Sequence, residues 1–131
     1  MAEPLQIESV TETLPATELW GSFKVLGVEG NRLELFGWAL GKSTEVKKIE
    51  VLVGGSVVAS TTPTLPREDL AELHPDRASA ATCGFKVVIE ARGKGKSELK
   101  LRAVLDDGTP VSIGAVHVAA PSRRWELFRR R

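Results

Sequence analysis

The chain of 131 residues holds one cysteine, one methionine and no tyrosine. Cys83 has no partner for an intrachain disulfide, and its solitude excludes zinc sites built from several cysteines. Aromatic residues are only 5% of the chain, a thin supply for a broad sugar-stacking face. No apolar run approaches the roughly 20 residues of a membrane-crossing helix, which argues against direct membrane insertion. Residues 1–18 lack an apolar stretch flanked by bases, so they do not read as a secretory signal. With the single thiol, these features fit a cytoplasmic or other reducing compartment, and a cytoplasmic location is the expectation. Charge of one sign is missing too. Eighteen bases face seventeen acids, for a net charge of +1, and nothing global attracts nucleic acid.

What is present is a single domain's length of folded-protein composition, with 42% hydrophobic residues. Its ends differ from its middle. Residues 1–18 carry four glutamates and no base, with prolines at 4 and 15, and read as a flexible lead-in with a short extended piece around residues 5–10. Residues 122–131 carry five arginines and one glutamate. They read as a basic tail that opens a linker or a following domain, with Ser122 as N-cap of a helix bearing Trp125 and Phe128. The ordered domain is expected over residues 19–121.

Within it, apolar residues alternate with polar ones in short runs separated by turn residues. Residues 22–28 and 32–40 flank Glu29-Gly30-Asn31. Residues 46–53 place Ile49, Val51 and Val53 on one face. Gly54-Gly55 then gives a hairpin into residues 56–61, because primed turns need positive φ. Residues 84–91 alternate through Phe85, Val87 and Ile89. Residues 97–105 do so through Leu99, Leu101, Ala103 and Leu105, and residues 110–119 through Val111, Ile113 and Ala115. Seven short strands at this spacing predict an all-β fold, an immunoglobulin-like antiparallel sandwich. A long loop over residues 62–82, with three prolines and a helical turn at residues 67–73, separates strands four and five.

The chemistry-bearing residues are few. Cys83, His74 and His117 have no neighbours in sequence at nucleophile or metal spacing. Asp106-Asp107-Gly108 is turn chemistry. Gly93-Lys94-Gly95-Lys96 lacks the spacing of a phosphate-binding loop. No catalytic residue, cofactor site or metal site is assigned, and the domain is read as non-catalytic. Arg67 and Asp69 are read as anchoring the long loop to the sandwich. Trp38, inside a strand, is expected in the core, where its removal would cost roughly 3–5 kcal/mol. Trp20 lies at the domain's edge. With His74, Arg67 and Asp69 it completes the set of candidate anchoring or binding residues.

The order Gly37-Trp38-Ala39, Arg67-x-Asp69-Leu70, His74-Pro75, Gly84-Phe85 and Asp107-Gly108 resembles that of bacterial β-sandwich accessory modules. Such modules are attached to glycosyltransferases and to cell-envelope or surface proteins. The resemblance spans residues 21–118. It implies an immunoglobulin-like fold, an accessory role beside a catalytic domain, and no catalytic residues. The expected partner is another domain of the same polypeptide. The alternatives are a carbohydrate-binding module that takes a glycan through residues 63–82 and Trp20, and a small stand-alone enzyme.

Overall fold

A computed structural model describes residues 6–13, 16–90 and 95–120, with Gly95, Lys96 and Ala120 described by their backbone alone. The basic tail and its expected helix lie outside the described residues. The chain folds as an all-β sandwich of eight antiparallel strands. They are β1 (Gln6–Glu12), β2 (Leu19–Glu29), β3 (Arg32–Gly41), β4 (Val46–Val53), β5 (Ser56–Thr61), β6 (Gly84–Glu90), β7 (Gly95–Leu105) and β8 (Pro110–Ala120). One sheet runs β1-β8-β7-β4-β5 and the other β2-β3-β6. Leaving β1 aside, β2-β3-β6 and β8-β7-β4 divide between the sheets in the immunoglobulin-like manner, with β5 on the edge beside β4.

The sequence predicts seven strands; β1 is the eighth. Gln6–Glu12 pairs with β8 and is nearly all exposed. Only Ile7 packs against the core, so the strand is held by its backbone ladder. It also reaches the other sheet. Glu12 Oε1 accepts from Ser22 Oγ at 2.7 Å and from the Phe23 N–H at 3.1 Å, satisfying a donor on edge strand β2.

The main core lies between the sheets. Leu33, Leu35 and Ala39 of β3 and Phe85, Val87 and Ile89 of β6 face Ile49, Val51, Leu99, Leu101, Ile113 and Val116. Phe23 crosses this gap. A Cβ on Gly114 of β8 would sit 2.5 Å from the Phe23 ring and would collide with the Thr11 carbonyl; a Cβ on Gly37 would collide with the Ser22 carbonyl. Both glycines are therefore required by close approach. Gly54 and Gly55 have φ of +59° and +84°, the two left-handed positions of the β4–β5 turn.

Residues 62–82 leave the sheets and return over the outer face of β2-β3-β6. The expected helical turn is α1 (Glu68–Leu73), with Glu68 and Asp69 favourably placed in its first turn. It stops at His74, before Pro75, where the His74 N–H donates to the Leu70 carbonyl. A 3-10 turn over Ala78–Thr82 follows. Leu65 bridges to Gly84, seating the segment on the start of β6.

Candidate functional site

Strand pleating decides which residues meet residues 62–82. Along β3, Leu33, Leu35, Gly37 and Ala39 point inward, so Phe36, Trp38 and Leu40 point to the outer face. Trp38 is therefore not in the inter-sheet core, which corrects the expectation from sequence. It is half-buried against a second, smaller cluster of Leu40, Leu70, Ala80 and Cys83, and Trp20 of β2 joins it there.

The four candidate residues fall into two contacts on this cluster. The Arg67 guanidinium grips Asp69 through two bonds, Nε–Oδ1 at 3.0 Å and Nη2–Oδ2 at 2.8 Å, and lies 5.9 Å from the Trp38 ring centre. The expected anchoring role thus divides. Arg67 meets the sheet, whereas Asp69 remains 62% exposed and holds Arg67. That guanidinium keeps the Asp69 carboxyl below its ordinary pKa. The second contact pairs Trp20 with His74, ring centres 4.3 Å apart, while Lys42 Nζ lies 5.2 Å from the Trp20 ring centre. Arg77 forms an ion pair with Glu45, joining the 3-10 turn to the approach of β4.

Next to this cap the outer face opens into a groove of about 460 Å³, with Lys24, Phe36 and Trp38 on one side and Leu65, Pro66 and Arg67 on the other. Lys24 Nζ lies 5.5 Å from the Phe36 ring centre. A bulge between Val25 and Gly27 leaves Leu26 unmatched on β2 and 52% exposed. Cations over all three rings are the arrangement of the cation–π interaction, in which the ring quadrupole attracts positive charge.

Cys83 sits beneath the cap, its Sγ–H donating to the Ala80 carbonyl at 3.2 Å. Burial pushes its thiol pKa up, against the weaker opposing pull of Arg67. Native protein should therefore resist a thiol reagent, and one thiol should react once denaturant opens residues 62–82. Equal labelling rates in native and denatured protein would contradict this burial.

Two arrangements escaped the sequence reading. Glu50 alternates onto the outer side of β4 as expected, yet is only 6% exposed. Arg102 Nε and Nη2 each reach its Oε1 at 2.8 Å, and Lys48 Nζ reaches its Oε2 at 3.1 Å. The bond from Arg102, with help from Lys48, depresses its pKa below the ordinary 4.5 despite the opposing effect of burial. A depressed carboxylate stabilises the fold above its unfolded pKa, and that contribution disappears as pH falls through the folded value. The stability advantage of the native protein over Glu50→Gln should therefore be full at neutral pH and shrink below about pH 4.5. Urea melts of both proteins at pH 7 and pH 3 check this.

The second arrangement is a row across three strands. Ser9 Oγ lies 3.2 Å from His117 Nδ1, and His117 Nε2 lies 3.1 Å from Glu98 Oε2. Ser9 and Glu98 are both register partners of His117, so cross-strand pairing alone accounts for the row. Among the described residues, no group of three or more His, Cys, Asp or Glu is placed to hold a metal ion, and no helix is long and apolar enough to cross a membrane. Compared with protein-family models, curated proteins and solved structures, the chain matches none of them.

Proposed function

We propose that this chain is a non-catalytic accessory domain of a larger bacterial protein, in the setting of a glycosyltransferase or an envelope-associated enzyme. We place its contact with a neighbouring protein domain on the outer face of β2-β3-β6. The observation that carries this reading is the composition of that face. Phe36 and Trp38 line a groove, and Leu26 and Leu65 lie exposed on the same side. Lys24 and Arg67 are laid over the two rings. Tryptophan and arginine dominate the energetic centres of protein interfaces, where an apolar body and a polar edge are buried together. The resemblance to accessory modules supplies the setting.

Covalent side-chain footprinting tests the reading, by comparing the isolated domain with the domain inside its full polypeptide. Leu26, Phe36, Trp38 and Leu65 should lose labelling in the full polypeptide, while His117 on the opposite sheet keeps it. Protection confined to the five-stranded sheet, or no protection, would overturn it.

Glycan binding is the second reading, and the groove beside Phe36 and Trp38 favours it. It requires sugar to stack where Arg67 and Lys24 now lie. A glycan array with hits lost in Phe36→Ala would favour it over a protein partner.

A further inference from the structure

The side of the sandwich where β5 passes β6 carries a feature separate from the groove at Phe36 and Trp38. A crevice of about 670 Å³ opens there, within the roughly 300–1,000 Å³ of small-ligand sites. Six of its lining residues are aliphatic, Val53, Val58, Val88, Ile89, Leu99 and Val118, and Arg32, Glu90 and Ser97 complete it with polar groups. The floor residues Leu99 and Val118 are closed to solvent, whereas Val58 and Val88 are 50% and 37% exposed. A bulge brings Val58 there. Val51 pairs with Ala59 and Leu52 with Val57, which leaves Val58 as the unmatched extra residue of an edge strand. Exposed valines beside an apolar crevice leave apolar surface in water that an occupant would cover.

The lining contains no aromatic ring, so it fits a flexible methylene chain better than a sugar or a planar heterocycle. Its cation is Arg32, exposed and opposite Glu90 in the β3–β6 pairing. A guanidinium has five N–H donors in a planar fork and can hold a carboxylate through two of them. Among the described residues Arg32 makes no salt bridge of its own. We propose that this crevice binds a single-chain anionic amphiphile, its aliphatic chain against Val58 and Val88 and its carboxylate at Arg32.

The test is a titration of the full chain with 11-(dansylamino)undecanoic acid, a fluorescent fatty acid, below its micellar range, followed by displacement with dodecanoate and with dodecanol. The expected result is saturable binding of one probe per chain, displaced by both. Val58→Trp, which fills the mouth, should abolish it. Arg32→Glu should weaken dodecanoate about tenfold, equivalent to about 1.4 kcal/mol, and leave dodecanol within about twofold. Both positions are exposed, and thermal melts establish that each variant folds; Val58→Asp and Arg32→Gln replace any that does not. The proposal is overturned by unsaturable binding, by binding that survives Val58→Trp, or by equal weakening of acid and alcohol in Arg32→Glu. It is also overturned if sedimentation shows a dimer whose formation is blocked by Val58→Trp, since a second copy then covers the crevice.

Discussion

Phe23→Ala is expected to destabilise the whole domain by about 3–5 kcal/mol, the usual cost of removing a buried phenylalanine. The ring starts on β2 of the small sheet and ends against Gly114 of β8, in the large sheet. It is 4% exposed and belongs to the main core. Its removal leaves a void that neither sheet can close alone, because each is held by its own hydrogen-bonded ladder. Gly114→Ala should also destabilise although it adds only a methyl group. The new Cβ meets the ring and the Thr11 carbonyl at once, and overpacking a close-packed site typically costs about 1–3 kcal/mol. Urea melts followed by far-ultraviolet circular dichroism give both values. A Phe23→Ala midpoint close to the native one would show that the ring does not join the sheets.

The same residues show what was legible in the sequence. Period-two alternation identified β6 and β7, which bury one face and wet the other. It also identified β4, although Glu50 and Leu52 are buried on its second face. It identified β8 too, where a register shift after Ser112 moves the inward set from the expected Ala115 to Val116 and Val118. Gly54-Gly55 identified the β4–β5 turn through its need for positive φ. Strand β1 carried no such signal. Of Gln6–Glu12 only Ile7 touches the core, so the segment has composition but no buried face. Its place depends on a backbone ladder with β8, some hundred residues away in the chain.

Trp38 was legible in principle. Leu33 and Leu35 fix the inward set of β3, and Trp38 falls with Glu34 on the other side. A large aromatic there reads as exposed unless something covers it, and the cover comes from residues 62–82, which have no periodicity. Glu50 is a similar case: alternation gives its side correctly, but its burial is created by Lys48 two residues before it and by Arg102 on β7. For the candidate site, Arg67, Asp69, His74 and Trp20 were named from sequence. Their division into an Arg67–Trp38 contact and a His74–Trp20 contact required the path of the returning chain.

That path makes a second large and different expectation. Leu70 is 3% exposed and is the one buried residue of α1. Leu70→Ala should cost about 2–5 kcal/mol at the cap, in the range for a buried leucine. A six-residue helix has little stability of its own, so α1 depends on packing over Leu40, Ala80 and Cys83. The loss should therefore be local. Amide exchange over residues 65–84 should accelerate strongly, and Cys83 should become reactive, while amides of β4, β7 and β8 keep their native rates. Trp38→Ala should act in the same direction but less, because the ring is only half-buried and rests on its own strand. Local opening of this kind belongs to segments whose contacts lie outside the main cooperative core. If Leu70→Ala instead lowered exchange protection uniformly through both sheets, the cap and the sandwich would form one cooperative unit. The outer-face groove beside Trp38 would then be rigid with the core rather than adjustable at the level of residues 62–82.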